Sequence, residues 1–161
     1  MGEFLKIGGK YVDNQGEETA KGISVNQNGL IEVVRHNETK VVEICTSVAK
    51  RDTDNIPFYG DDAIDLSEWT TCSILVANTL DSDNVNIRFF SQFNKAQTGY
   101  LRTYDGSSPL IPLRQVDSGC YLITPDDVPL LNYLRYFTGR IEFGGTAPTT
   151  GSLSVSVILK R

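Results

Sequence analysis

The sequence predicts an all-β fold: a jelly-roll-like sandwich of about eight antiparallel strands, preceded by an N-terminal arm or hairpin. Three observations favour this fold. Short runs alternate apolar with polar side chains, turn residues separate these runs at intervals of roughly 8 to 12 residues, and no stretch keeps the helical period. The chain of 161 residues, 40% of them hydrophobic, is long enough to bury one core. We therefore predict one sandwich domain at residues 29–161 and a separate segment at residues 1–28.

The N-terminal segment, residues 1–28, is rich in Gly, Asn, Gln and Glu and holds only short apolar stretches. It is predicted to form a small hairpin or an extended arm. A polar segment with few core-forming residues gains order by lying on a neighbouring molecule. The side chains predicted to dock this arm are Phe4, Leu5, Ile7 and Tyr11.

Two strands are predicted next, at residues 30–35 and 41–49, joined by the polar hairpin turn HNETK. The following segment, RDTDNIPFYGDD, contains Pro57, Gly60 and four aspartates, and it is predicted to be a loop. Beyond this loop, residues 72–79 carry apolar side chains on both faces, as expected of a central, covered strand.

The middle of the chain is predicted to form three further strands. Val85, Ile87, Phe89 and Phe93 share one parity while polar residues occupy the other, which indicates a half-buried antiparallel strand over residues 85–93. The segments GYLRTY and PLIPLRQV are predicted to be shorter strands. The prolines of the second segment place it at a sheet edge, because proline cannot donate a ladder hydrogen bond.

The segment CYLITPDDVPLLNYL is compatible with more than one structure. Pro125, Asp126 and Asp127 favour the start of a single helical turn, because proline and acidic residues suit a helix N-terminus. Pro129 follows too closely for a long helix.

The C-terminal stretch TGRIEFGGTAPTTGSLSVSVILKR alternates polar with apolar residues almost to its end. This pattern predicts two long antiparallel strands, at residues 133–143 and 152–159, joined by GGTAPTTG as a surface loop. Gly139 is predicted to mark a bulge in the first of them.

Charge and hydropathy argue against two classes of partner. The chain has 15 Lys and Arg against 20 Asp and Glu, a net charge of −5, with both signs scattered along its length. Nucleic-acid surfaces need clustered cations, so we predict no nucleic-acid partner. The start MGEFLKIGGKYVDNQG lacks a signal-peptide core, and no apolar run approaches the roughly 20 residues of a membrane span. We predict no membrane partner.

The residues that commonly carry catalysis or bind metals are sparse. Cys45, Cys72 and Cys120 lie far apart and are predicted to be reduced, buried thiols in a protein assembled in a cytoplasm. His36 is the only histidine and is predicted to be a solvated loop side chain. A catalytic triad or a zinc site would need more of these residues at closer spacing. The prediction is a non-enzymatic protein with no cofactor and no metal.

Two chemical alternatives stay open for the acidic residues. The stretch Asp81-Ser82-Asp83-Asn84 begins like a calcium loop, but the EF-hand pattern fails from Val85 onward, which leaves only a looser calcium site at a sandwich edge. Asp61 and Asp62, in the acidic region 52–65, are candidates for the paired carboxylates of a glycoside hydrolase. Turns also favour Asp and Asn for conformational reasons alone.

Aromatic residues suggest a ligand-binding surface, because ring faces accept the apolar side of a sugar. Tyr100 and Tyr104 share a parity with Arg102, so these three residues are predicted to form an exposed ligand-binding face. Trp69 immediately precedes the strand TTCSILVAN and is predicted to lie in the core.

Three stretches resemble the small β-sandwich modules of tailed-bacteriophage virions: AIDLSEWTTCSILVANTL, NVNIRFFSQF and YLRYFTGRIEFGGTAPTTGSLSVSVILKR. Such modules often open with an I-D-L-S-x-W-like entry and end with a GTAPTTG-like loop and a final alternating strand. The resemblance covers roughly residues 63–161. The chain lacks the repetitive shaft sequence of tail spikes, which argues against a fibre.

The resemblance implies a non-enzymatic virion protein that is assembled in the host cytoplasm, with no catalytic residue to transfer. The expected role is capsid decoration or cement, a head-fibre base, or a tail or baseplate part. The expected partners are other capsid or tail subunits and further copies of the same chain, as a trimer or hexamer. The alternative is a carbohydrate- or receptor-binding module of a tail or baseplate, with a glycan as ligand.

Overall fold

The computed structural model describes residues 8–12, 18–22, 24–25, 31–32, 38–48, 54–82, 84–96 and 99–161. The chain divides into two compact units, Met1–Asn37 and Glu38–Arg161. The first unit contains the whole of the predicted arm. Four of the residues predicted to matter in or near it, Phe4, Leu5, Ile7 and His36, lie outside the described residues, as does the side chain of Tyr11.

The described residues of the first unit form two antiparallel pairs of strands. Strand β1 (Gly8–Val12) pairs with β2 (Glu18–Gly22), and β3 (Ser24–Val25) pairs with β4 (Ile31–Glu32). Of the two alternatives for this segment, the structure therefore has the hairpin.

The second unit is all-β with antiparallel pairing, which confirms the predicted class. Its strands are β5 (Thr39–Val48), β6 (Ile56–Phe58), β7 (Ile64–Asp65), β8 (Thr71–Asn78), β9 (Val85–Phe89), β10 (Leu110–Pro112), β11 (Tyr121–Ile123), β12 (Tyr136–Phe137), β13 (Gly139–Phe143) and β14 (Leu153–Lys160). Single 3-10 turns occur at Gly60–Asp62 and Pro129–Asn132. One four-stranded sheet has the order β11-β8-β14-β5, the other has the order β10-β9-β13-β6, and β7 and β12 form a small pair.

The eight strands of the two large sheets pair in a nested pattern. The first, β5, pairs with the last, β14, and the second, β6, pairs with the seventh, β13. Inside these, β8 pairs with β11, and β9 pairs with its immediate successor β10. Each pair encloses the next along the chain.

Both large sheets contribute alternate side chains to one hydrophobic core. In β8 and β14 every second residue is buried, as period-two alternation requires. The same holds for β9 and β13 in the other sheet. Phe137 lies between the rings of Phe58 and Phe89, with centroids 5.3 Å and 5.5 Å away. Within the described residues, no helix is long and apolar enough to cross a membrane.

The prediction that the last two strands form a hairpin is wrong. Strand β13 pairs with β6 and β9, whereas β14 pairs with β5 and β8, so GGTAPTTG links two different sheets. Alternation in each strand indicates which residues are buried, but it does not identify the partner strand. The bulge predicted at Gly139 is also absent, since β13 pairs with β9 in continuous register from that residue. Glycine is required there because a Cβ would lie 2.1 Å from the Arg88 carbonyl oxygen.

The region 52–65, predicted to be a loop, contains β6, a 3-10 turn and β7 in its described part. Pro57 lies in β6, which is the edge strand of its sheet. Proline is tolerated in an edge strand because one side of the strand has no neighbouring strand, so its missing N–H need not break a ladder hydrogen bond. Residues 52 and 53 lie outside the described residues.

Two predicted strands are shorter than expected. The strand predicted over residues 85–93 ends at Phe89, and Phe93, predicted to face inward, is 92% exposed. The predicted strand GYLRTY is reduced to a single bridge between Phe90 and Tyr100. Beyond this bridge the chain turns, with the Gly106 N–H donating to the Thr103 carbonyl at 2.9 Å.

Predictions of strand position, of the helical turn and of the HNETK hairpin have different outcomes. Strand β8 is central and β10 is an edge strand, as predicted. The single helical turn predicted at residues 125–127 is present, because the Val128 N–H donates to the Thr124 carbonyl at 3.0 Å. A separate 3-10 turn follows at Pro129–Asn132. The described part of the predicted HNETK hairpin does not pair as expected, since β4 pairs with β3 and β5 pairs with β14.

Candidate functional site

The two large sheets carry different outward-facing side chains. On β8 and β14 these are small or neutral, and we call them the neutral face: Ser73, Leu75, Ala77, Ser154, Ser156 and Ile158. On β9 and β13 they are polar or charged, and we call them the charged face: Asn86, Arg88, Arg140 and Glu142. The predicted ligand residue Tyr100 adjoins the charged face.

The charged face is organised around one carboxylate. Register places Arg140 directly opposite Arg88, a like-charge pair that is unfavourable by itself. Glu142 relieves the repulsion, because Oε2 accepts a bond from Arg88 Nε at 2.7 Å and Oε1 accepts one from Arg140 Nε at 2.7 Å. All three side chains are partly buried, and that of Glu142 is 17% exposed.

The protonation of Glu142 reflects two opposing effects. Burial raises the pKa of this carboxyl, but hydrogen bonds from Arg88 and Arg140 outweigh burial and bring the pKa below its ordinary value. Glu142 is therefore a carboxylate at neutral pH and stays negative between the two guanidinium groups.

Tyr100 completes the cluster from outside the sheet. Its bridge to Phe90 fixes the backbone, and the guanidinium carbons of Arg88 and Arg140 lie 5.1 Å and 5.2 Å from the centroid of its ring. These distances are typical of cation–π contacts. Arg140 Nη2 also donates a hydrogen bond to the Tyr100 hydroxyl. The ring is thereby held against the two arginines.

A groove of about 550 Å³ runs along the charged face. Its lining consists of Asn55, Asn84, Asn86, Arg88, Tyr100, Arg102, Leu110, Arg140, Glu142, Phe143 and Gly144. Arg102 is exposed, and its Nη1 donates to the Gly106 carbonyl at 3.1 Å. The structure thus brings Tyr100 and Arg102 together in one groove.

Tyr104, the third residue of the predicted ligand-binding face, does not line this groove. It is fully exposed in a turn, which Asp105 stabilises by accepting hydrogen bonds from the Thr103 hydroxyl and the Ser107 N–H. These bonds lower the pKa of Asp105 to about 2. The shared parity that grouped Tyr104 with Tyr100 has no meaning here, because the segment is not a strand.

Sequence reasoning missed Arg88, Arg140 and Glu142 as site residues. The available signal was their position on the polar parity of two predicted strands. This position identifies a site only if β9 is known to pair with β13, because that pairing brings the three side chains together. From the sequence, β13 was predicted to pair with the last strand instead.

A second cavity, of about 710 Å³, opens between the edge strands β5 and β6. Asp61 and Asp62, the candidate hydrolase residues, line it together with Asp65 and Trp69. Hydrogen bonds from Ser67 lower the pKa of Asp65. In the described part of the chain, no group of three or more His, Cys, Asp or Glu residues is arranged to hold a metal ion.

Trp69 packs against the core but is only half-buried, so its predicted core position is partly met. The guanidinium carbon of Arg161 lies 5.2 Å from the centroid of its ring. Arg161 also forms ion pairs with Glu38 and Glu68. These contacts close the end of the sheet at which β5 begins and β14 ends.

The cysteines differ from one another. Cys45 and Cys72 are buried, as predicted, and burial raises the pKa of their thiols to about 11 and about 12. They are therefore protonated at neutral pH. Cys120 is exposed, contrary to the prediction, and lies directly before β11.

Asp81, in the stretch that begins like a calcium loop, bonds to another loop. Its carboxylate accepts hydrogen bonds from the hydroxyl and the N–H of Thr149 and from the N–H of Thr150. These bonds lower its pKa well below the ordinary value. The same stretch continues into Val85, which is buried in the core, and Asp83 lies outside the described residues.

Comparison of the chain with protein-family models, with curated proteins and with solved structures found no match.

Proposed function

We propose that the protein is a non-enzymatic structural component of a bacteriophage virion, of the capsid decoration or cement type. It self-associates as a trimer or hexamer and docks on neighbouring virion subunits. The observation that carries the proposal is the nested pairing of the eight strands, from β5 with β14 inward to β9 with β10.

Nested pairing is what results when one long antiparallel ribbon of eight strands is rolled into two sheets. This is the organisation of a jelly roll, an architecture found in viral capsid proteins and lectins. Side chains from both sheets meet in one hydrophobic cluster, which supports face-to-face packing as a sandwich. We therefore propose a jelly-roll sandwich for residues 38–161.

The neutral face supports self-association. Centres of protein interfaces are depleted of charged residues. Ser156 and Leu75 are opposite each other on this face, and Val41 and Leu122 extend it as exposed apolar side chains on the two edge strands. Glu43, a charged residue opposite Ser156, lies on the edge strand β5.

The arm is proposed to dock the protein through Phe4, Leu5, Ile7 and Tyr11. Support comes from the division of the chain into a small compact unit, Met1–Asn37, and a larger one. Separate units can divide the tasks of attachment and exposure to solvent.

Light scattering tests the self-association. We expect the purified chain to be a closed trimer or hexamer, because closed symmetry is the norm for homo-oligomers. Ser156→Glu should yield monomers by placing a charge at the centre of the neutral face, and Asn86→Glu on the charged face should leave the oligomer intact. A wild-type monomer at all concentrations would refute the proposed self-association.

The docking role has its own test. Deleting residues 1–37 should leave a folded body that no longer associates with virus-like particles released by the source cells, as judged by mass spectrometry of the purified particles. Retention of the truncated chain on particles would assign docking to the body instead.

A second candidate function is a carbohydrate- or receptor-binding module. The groove on the charged face favours it, because Tyr100 and Arg102 line a concave surface with several amide side chains. Binding sites typically combine such convergent polar groups with some apolar surface. Both functions are compatible in one virion protein.

A further inference from the structure

We propose that the groove on the charged face binds a saccharide that carries a carboxylate, such as a sialic or uronic acid unit. This inference rests on the second candidate function and names its ligand class. It is argued from the charge of the groove, its unused hydrogen-bond donors, and the mixture of groups around them.

The groove has a net positive charge, although the protein as a whole has a net negative charge. Its lining has three arginines and one glutamate, a surplus of two positive charges, whereas the whole chain has a net charge of −5. Because the three arginines and Glu142 face one concave surface, this surplus is local and attracts an anion of one or two charges. A polyanion would need a longer row of cations.

Guanidinium donors remain available in the groove. Glu142 engages the Nε of Arg88, and among the described residues Arg88 donates no other hydrogen bond, so both of its Nη groups are free. Within the part of the chain that the structure describes, Arg102 uses only Nη1, for the Gly106 carbonyl, which leaves Nε and Nη2. A guanidinium with two free N–H groups matches a carboxylate in a bidentate geometry.

Glu142 orders two of the arginines in the groove. It holds Arg88 and Arg140 in place through three short contacts of 2.6 to 2.7 Å. Because these contacts fix the side chains in advance, a ligand loses less of their conformational entropy on binding.

The remaining lining suits the rest of a sugar. Asn55, Asn84 and Asn86 contribute amide groups. Asn86 Nδ2 donates to Asn84 Oδ1 at 2.7 Å, and the other donor and acceptor sites of these amides can bond to hydroxyl groups. Leu110 is an exposed apolar side chain in the same groove, suited to the C–H surface of a pyranose. A volume of about 550 Å³ is in the range of small-ligand sites.

The first experiment is a glycan array of sialylated and uronate-containing oligosaccharides with their neutral counterparts, probed with the full chain. The strongest acidic glycan and its neutral counterpart are then titrated by calorimetry. We expect the acidic glycan to bind at least about tenfold more tightly, because a charge-assisted hydrogen bond is lost in the neutral one. Affinity should fall as salt rises, since salt screens an exposed site.

The matched variants are Arg102→Gln in the groove and Arg114→Gln outside it. Both remove one exposed positive charge, so their effect on overall charge is the same. Arg102→Gln should weaken binding of the acidic glycan about tenfold or more, and Arg114→Gln should leave it within about twofold. Circular dichroism of both variants checks that they are folded.

The outcomes separate this inference from the function beneath it. Equal binding of acidic and neutral glycans, or equal effects of the two variants, would overturn the inference but leave a carbohydrate-binding module. Absence of binding to every glycan would overturn both. None of these outcomes tests self-association through the neutral face.

Discussion

The two large sheets have the same inner face and different outer faces. Inward, β14 and β13 both present alternating buried aliphatic or aromatic side chains. Outward, β14 presents serines where β13 presents Arg140 and Glu142. The inward residues make the two sheets one folded body. The outward residues are less constrained by the core, and we propose that they serve assembly on one sheet and ligand binding on the other.

The largest effects should come from the inner faces and be equal in the two sheets. Ile74→Ala in β8 and Ile141→Ala in β13 each remove a fully buried side chain, and each should lower the free energy of unfolding by about 2–5 kcal/mol. Urea denaturation of both variants measures this. A much smaller loss for one of them would mean that the sheets do not share one core.

A smaller effect should distinguish the outer faces. Glu142→Gln removes the carboxylate between two opposed arginines and should lower the free energy of unfolding by about 1–2 kcal/mol, between the values for buried and exposed ion pairs. The matched change Glu43→Gln, at an exposed residue of the edge strand β5, should alter the free energy of unfolding by no more than about 0.5 kcal/mol. Equal effects in urea denaturation would contradict the assignment of Glu142 as the organising charge.

The smallest effect should occur at the connection between the sheets. Asp81 follows β8, and it bonds to Thr149 and Thr150 in the loop before β14. Its folded pKa is below the ordinary value of 3.8, so its contribution is present above about pH 3.8 and is lost as pH falls towards the folded pKa. Asp81→Asn should therefore reduce the decrease in stability between about pH 4 and pH 2.

Asp117→Asn is the control, because among the described residues Asp117 is exposed and accepts no hydrogen bond. It should leave the acid dependence of the unfolding free energy as in the wild type. If Asp81→Asn lost as much unfolding free energy between about pH 4 and pH 2 as the wild type, the two connecting loops would not be coupled through this carboxylate.

The sequence predicts burial better than pairing. Alternation in LSVSVILK correctly identifies Leu153, Val155, Val157 and Leu159 as core residues, because a half-buried strand must alternate. It says nothing about which strand lies alongside, and proximity in sequence wrongly favoured a hairpin with β13. Nested pairing joins residues more than a hundred positions apart, and no local pattern marks it.

The same limit applies to the site. Tyr100 and Arg102 were predicted from composition and local parity, and both line the groove. Tyr104 was predicted by the same parity and lies elsewhere, since parity holds only inside a strand. Arg88 and Glu142 become neighbours only through the register of β9 with β13, which a single sequence does not contain.

The nested pattern has a practical consequence for joining this body to other proteins. Because β5 and β14 are partners, the backbone at Glu38 and at Arg161 is joined by two hydrogen bonds, of 3.0 Å and 3.1 Å. The two ends of the second unit are therefore adjacent. Residues 38–161 are therefore suited to domain insertion into a surface loop of another protein, because the two ends of the loop need not be far apart. They are also suited to circular permutation, in which a short linker joins Glu38 to Arg161 and new termini are opened in another loop.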